Sequence, residues 1–269
     1  MSVEQPEAPP IETRVKQFDI SLFDEIPSQT SSDDRRSILA IQSAVATRLG
    51  SFTYLEIGSH LGGSIQPFLL DPRCGRIVSI DKRPKTLPDE RGVSQIYLQN
   101  STERMLGNLR RIANDELPKI TTFDADSSEL NATQIASKVD LCFIDGEHTN
   151  LAAEKDFAFC ISVLASSGVI FFHDAHIVFQ ALDNILRDLR AANRPFQAYN
   201  LPTSIFVIDF GVGIHEDGGI KSLLLKNHLG YLEGLKSMAH YRQFYNHRFV
   251  RMMRRVYRQV TPKLLHRKA

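Results

Sequence analysis

The chain has 269 residues, 42% of them hydrophobic and 23% charged, with 15 Gly and 12 Pro. That composition excludes collagen-like, low-complexity and fully disordered chains, and the length suits one large α/β domain with or without an appendage. The formal net charge is +1, yet residues 234–269 carry ten Lys or Arg and no Asp or Glu, which leaves the remainder at −9. An acidic body with a basic tail implies two parts with different partners. No apolar run reaches the roughly 18 residues that a membrane-spanning helix needs. The start, MSVEQPEAPPIETR, has Glu and Pro where a signal peptide needs an apolar stretch. Cys74, Cys142 and Cys160 match no zinc or redox spacing, and the reading is a reduced, cytoplasmic protein.

In chain order, residues 1–12 are rich in Pro and Glu and read as disordered. They open an N-terminal extension, 1–32. Residues 33–49 repeat apolar positions at helical spacing behind leading acids, with Gly50 as the stop. A strand–helix rhythm follows. Strands are predicted at 52–57, 76–80, 119–123, 139–144 and 168–172, and helices at 62–70, 102–114, 151–164 and 178–193. Asn150 is the expected start of the third of those helices. Two late strands, 196–200 and 204–210, flank the turn Leu201-Pro202-Thr203 with no helix between them, so one runs antiparallel. The predicted class is α/β. It is a doubly wound, Rossmann-like, mostly parallel seven-stranded sheet over 33–215, with an antiparallel late strand and a basic helical C-terminal extension over 216–269.

Open parallel sheets bind ligands beyond the carboxyl ends of their strands. Those ends read Glu56-Ile-Gly58-Ser59-His60-Leu-Gly62-Gly63-Ser64, then Asp81, then Asp124-Ala-Asp126-Ser127, then Asp145-Gly-Glu147-His148, then His173-Asp174-Ala-His176. Each end carries a carboxylate, and gathered carboxylates repel one another. A cation or a hydroxyl-rich ligand would resolve the repulsion. Gly58 permits a tight turn, while Gly62 and Gly63 are read as admitting a ligand and starting a helix. Asp81, 23 residues past Gly58, suits a carboxylate that accepts two ribose hydroxyls. The combination points to a nucleoside-type ligand. Asp124 reads as a turn cap and Cys142 as packing.

Glu56-x-Gly58-x-x-x-Gly62-Gly63-Ser64, Phe143-Ile-Asp145-Gly-Glu-His148 and Gly168-Val-Ile-Phe-Phe-His-Asp174 together resemble motifs of class I S-adenosylmethionine-dependent methyltransferases. The branch is that of catechol-type and of sugar- and antibiotic-modifying O-methyltransferases, and the resemblance covers roughly residues 35–210. It implies that Glu56, Gly58 and Ser64, with the intervening Ser59, His60, Gly62 and Gly63, surround the methionine part of S-adenosylmethionine. Asp81 then holds the ribose, and Asp126 and Ser127 lie beside the adenine. Asp145 and Asp174 become ligands of a divalent metal such as Mg, with His173 in the position where sugar-modifying relatives carry a further acid. His148 falls where catechol-type enzymes place the proton-accepting lysine. Ala175 departs from the pattern, standing where catechol-type relatives complete the metal site with Asn. The implied activity is O-methylation of a small molecule, a sugar or glycosylated metabolite. The alternatives are an NAD-dependent oxidoreductase and a catalytically silent nucleoside-binding module.

In the tail, Tyr241, Tyr245, Phe249, Met252 and Val256 recur at helical spacing among six arginines. Such a helix can lie on an anionic membrane, making the protein peripheral to it, or pack on the body or on a second subunit. Nucleic acid is not expected, since no recognised reading module accompanies the charge.

Overall fold

The computed structural model describes residues 9–92 and 94–265. Residues 1–8 of the stretch read as disordered, and Arg267 and Lys268 of the basic tail, lie outside the described residues. The described chain enters through α1 (Ile11–Lys16) and a 3-10 turn over Ile20–Phe23. Val15, Phe23 and Ile26 are fully buried there, so the segment set apart as an extension joins the core.

Helix α2 (Ser32–Leu49) starts with a capping box. Ser31 Oγ accepts from the Asp34 amide and the Asp34 carboxylate accepts from the Ser31 amide. It ends at Gly50, whose φ of 77° closes the helix. There follow β1 (Phe52–Ile57), α3 (Gln66–Leu70), β2 (Cys74–Ile80), β3 (Thr86–Pro88), β4 (Ser94–Ile96), α4 (Thr102–Ala113), β5 (Ile120–Phe123), β6 (Val139–Ile144), α5 (Asn150–Val163), β7 (Leu164–Phe172), α6 (Phe179–Ala191), β8 (Gln197–Asn200) and β9 (Phe206–Asp209). Helices α7 (Gly218–Lys226), α8 (His228–Asn246) and α9 (Arg248–Leu265) complete the chain.

Two stretches differ from the prediction. The helix after β1 begins at Gln66 rather than Gly62, because Gly62 sits at a left-handed φ of +86° that no helix continues through. Residues 82–100, where no element is predicted, contain the antiparallel hairpin β3–β4, too short for a period-2 pattern to show.

The seven-stranded sheet has the order β5-β2-β1-β6-β7-β9-β8. Its first five strands pair in parallel, and β9 runs antiparallel to both β7 and β8. Strand parity sorts the side chains. Tyr54, Phe143 and Phe171 face a core shared with α2, α3, α4 and α7, whereas Leu55, Cys142, Ile170 and Phe172 face α5 and α6. Fully burying each such side chain contributes about 1.5–3 kcal/mol. Ile220 and Leu223 of α7 belong to the first core, so the body continues past residue 215. Chain order reverses between β1 and β6, which lie side by side at mid-sheet. That switch point opens a crevice at their carboxyl ends.

Candidate active site

Gly58 leaves β1 with φ +93°, and a Cβ there would lie 2.1 Å from the Asp145 carbonyl oxygen at the end of β6. The two loops therefore touch backbone to backbone at the switch point, where only glycine fits. On either side of this contact lies a cavity.

The first is lined by Asp81, Ala125, Asp126, Ser127, Glu147 and Asp156 among others. The second is lined by Asp34, Ser64, Arg91, His148, His173 and Asp174 among others. Gly58, His60, Tyr97 and Asp145 line both. In the first cavity Asp81 accepts from the amides of His60 at 2.9 Å and Arg83 at 2.7 Å, and the Arg83 guanidinium lies 3.3 Å away. Its carboxylate thus ties the glycine loop to β2. Asp126 accepts from the Ser128 amide at 3.0 Å, and Ser127 Oγ donates to Asp156 at 2.5 Å. Burial raises Asp156 to about 6.

The glycine loop differs in detail from its sequence reading. Glu56 lines neither cavity. It is fully buried beneath the loop, where it accepts from Tyr54 Oη at 2.7 Å and Ser64 Oγ at 2.5 Å. Burial raises it to about 7 against those two bonds. Ser59 Oγ pairs with Ser79 Oγ at 2.6 Å. Gly62 packs on Met105 and Leu109 of α4, and Gly63 admits the Pro27 carbonyl rather than a ligand, since a Cβ would come within 2.6 Å of it. His60 Nε2 is buried with no hydrogen-bond partner, and its ring meets Tyr97 edge-on at 5.0 Å. A buried imidazole atom left unpaired on a cavity wall is placed to bond a ligand.

At the inner end of the second cavity, carboxylates and imidazoles interleave. His148 Nε2 lies 3.3 Å from Asp174 and 3.8 Å from Asp145, with its Nδ1 3.7 Å from Asp89. His173 Nδ1 lies 3.0 Å from Asp145 and 3.3 Å from Asp174, with its Nε2 3.3 Å from Asp34. Burial alone disfavours every charge here, yet the opposite signs outweigh it. Asp145 is held below its ordinary value by His173 and His148, and Asp174 falls to about 2. His148 is pushed up to about 9 by Asp145 and Asp89, and His173 is raised as well.

Asp145, His148 and Asp174 can each offer one ligand atom, all within 4.8 Å of one another. That spacing fits a divalent cation. Two carboxylates with an imidazole suit a first-row transition ion, whereas magnesium prefers oxygen throughout. His173, expected from the resemblance among the ligands, stands apart: its Nδ1 lies against Asp145 and Asp174 and its Nε2 faces Asp34 without a hydrogen bond, so it acts as a charge between carboxylates.

Several residues of the site escaped the sequence reading. Asp34 was read only as an acid at the positive end of α2, and Asp89, Arg91 and Tyr97 sit on the hairpin segment. Arg83 carries no motif at all. Helix α5 begins at Asn150 as expected, with Thr149 as its cap accepting from the Ala152 amide, and Asn150 Oδ1 accepts from the Ala181 amide of α6.

Residues 55–175 match a protein family described as a methyltransferase domain. That stretch of the chain is similar to methyltransferase domains. Among solved structures, the O-methyltransferase NovP is similar with a TM-score of 0.53 at 13% identity, over 66% of this chain and 81% of that one. At that identity the likeness shows the fold, and the methyltransferase sheet and its flanking helices are those described above. A putative O-methyltransferase from Klebsiella pneumoniae has a TM-score of 0.47 at 14% identity, over 76% of this chain and 91% of that one. MycE methyltransferase from the mycinamycin biosynthetic pathway, in complex with Mg and SAH, has a TM-score of 0.48 at 14% identity, over 79% and 57%. No curated protein matches the sequence.

Proposed function

We propose that the methyltransferase domain moves the methyl group of S-adenosylmethionine to a hydroxyl oxygen of a small molecule, a sugar or glycosylated metabolite, bound in the second cavity. The observation that carries this reading is the meeting of the two cavities at Gly58, His60, Tyr97 and Asp145. A cofactor seated in the first cavity with its adenosine toward Asp81, Asp126 and Ser127 points its sulfonium at that junction. The acceptor then approaches from the other side. Holding donor and acceptor in line, away from water, is most of what methyl transfer asks of a protein. The carboxylates around the junction favour a ligand with sulfonium and ammonium charges.

Asp145 and Asp174 are the residues that would hold a divalent ion. When bound, such an ion supplies Lewis acidity that lowers the pKa of an acceptor hydroxyl. His148 removes the hydroxyl proton on Nε2, working in the fraction of molecules where it is neutral. Asp89 faces its other nitrogen and orients the ring. His173 keeps Asp145 and Asp174 apart and aligned.

The test is incubation with S-adenosylmethionine and a panel of hydroxylated acceptors, read by mass spectrometry for a methylated product. Retention of nicotinamide nucleotide instead, with no binding of S-adenosylmethionine by calorimetry, would overturn the reading. His148→Ala separates base from ligand. Lost turnover with unchanged divalent-ion affinity marks a base, and lost ion affinity marks a ligand.

A further inference from the structure

Among the described residues, none from the C-terminal helices lines either cavity. The sequence suggests one long helix, but His247, extended at φ −61° and ψ 134°, separates α8 from α9. The stripe is therefore split. Tyr241 and Tyr245 are half-buried on α8, and the Tyr241 hydroxyl donates to the Glu90 carbonyl. Phe249, Met252, Met253 and Val256 lie on α9 at 59%, 54%, 52% and 48% exposure. Spacings of three and four residues put these four on one face. Arg254 points the opposite way, with its guanidinium 3.4 Å from the Tyr245 ring centroid and beside Gly92. Arg248, Arg251 and Arg255 are exposed along one flank. Thus α9 is held to α8 and the hairpin by its polar side and turns its apolar side outward, the reverse of a helix packed on a core.

An outward apolar face needs an occupant. Residues 234–269 hold ten cations and no anion. A second copy of the same face would bring arginine flanks against arginine flanks with no acid to offset them. A nucleic acid would use the arginines and leave the apolar face in water. An anionic lipid surface satisfies both, taking the apolar side chains into the headgroup boundary and the arginines against phosphates.

We propose that α9 docks the protein on an anionic lipid surface through Phe249, Met252, Met253 and Val256, flanked by Arg248, Arg251 and Arg255. The docking element is joined to the catalytic body at a functional place. Glu90 and Gly92, which contact Tyr241 and Arg254, belong to the hairpin segment that presents Arg91 and Tyr97 to the second cavity. A docked α9 would therefore sit against the segment that lines the second cavity.

The experiment is sedimentation of the full chain with phosphatidylcholine vesicles, with and without phosphatidylglycerol, at low and high salt. The expected result is binding to the anionic vesicles tighter by on the order of a hundredfold, the effect of three arginines near the surface, and weakened by salt. The double variant Met252→Glu/Val256→Glu keeps its melting temperature, because both side chains are exposed, and loses on the order of tenfold or more of that binding. Three results would overturn the proposal. The intact chain could fail to sediment with anionic vesicles at low salt. The double variant could bind them as well as the wild type, which would mark simple polyanion attachment. Or ultracentrifugation could show a dimer that the double variant dissociates, which would make the stripe a subunit seam.

Discussion

Replacing Gly58 by alanine tests the switch-point geometry quantitatively. The added methyl would lie 2.1 Å from the Asp145 carbonyl oxygen, 2.5 Å from its carbon and 2.8 Å from Gly146 Cα. All three are backbone atoms, so no rotamer change relieves the clash, and β1 and β6 must part or the Asp145 loop must move. Forcing a Cβ into the left-handed region costs about 1–2 kcal/mol, and overpacking adds about 1–3 kcal/mol. A total of about 2–5 kcal/mol, at about 2–4 °C per kcal/mol, lowers the melting temperature by roughly 5–20 °C. Because Asp145 moves with the loop, S-adenosylmethionine affinity and turnover fall with it. Gly213→Ala supplies the control. Gly213 has φ +78° but nothing within 4 Å of its added Cβ, so it carries the conformational cost alone. Scanning calorimetry of the two variants, with cofactor titration, gives the comparison. If Gly58→Ala melts with Gly213→Ala and keeps cofactor affinity, the two loops do not touch and the proposed seat of the cofactor loses its basis.

Asp81→Ala should weaken S-adenosylmethionine binding at least tenfold by calorimetry, since charge-assisted bonds to ribose contribute on the order of 1.5–3 kcal/mol each; unchanged affinity would remove Asp81 from the site. Turnover should rise with pH from neutrality toward 9, because Asp145 and Asp89 hold His148 protonated up to about 9, and a pH-independent rate would remove it as the base. Glu56 is raised from 4.5 to about 7 by burial, so folding favours its protonated form. Its destabilising effect is absent below the unfolded value and grows to about 3 kcal/mol once pH passes 7. Glu56→Gln should accordingly gain stability relative to wild type as pH rises from 5 to about 8, and a constant difference in melting temperature would contradict this. Asp145→Asn and Asp174→Asn should each abolish divalent-ion dependence together with most turnover, whereas full wild-type activity after exhaustive chelation would favour a metal-free mechanism led by His148.

The parts legible in the sequence are those written locally. Strands such as Val139–Ile144 are apolar on both faces because helices cover both, and the helix of residues 33–49 carries its acids and its terminal glycine in plain order. The strand-end positions follow from the fold class, which is why Asp81, Asp145, His148 and Asp174 could be named together. What was not legible is pairing across the chain. Asp34 and His173 are 139 residues apart yet 3.3 Å in space, and nothing near either one announces the other. The hairpin strands, three residues each, are shorter than any period that could reveal them. Glu56 was misplaced because a motif fixes a position on a strand, whereas the strand's pleat decides which side the carboxylate takes.

The same long-range pairing changes the argument that first pointed to a ligand. Counted along the sequence, the strand-end acids are an uncompensated cluster that calls for a cation. In space all but the buried Glu56 have charged company: Arg83 beside Asp81 and Asp124, Lys82 beside Asp126 and Glu147, and His148 and His173 between Asp145 and Asp174. Repulsion therefore no longer requires a metal, and the case for one rests on the convergence of Asp145, His148 and Asp174. The imidazoles have a further consequence. A carboxylate pair already bridged by His173 is held at fixed separation before any ligand arrives, so an acceptor hydroxyl meets a preorganised pair rather than one it must assemble. Asp34 extends that bridge to α2, and Asp89 ties His148 to the hairpin. The site is thus held by elements far apart in sequence, α2 and the hairpin, and the hairpin is also one of the parts of the body that α8 and α9 touch, beside α6 at Phe179.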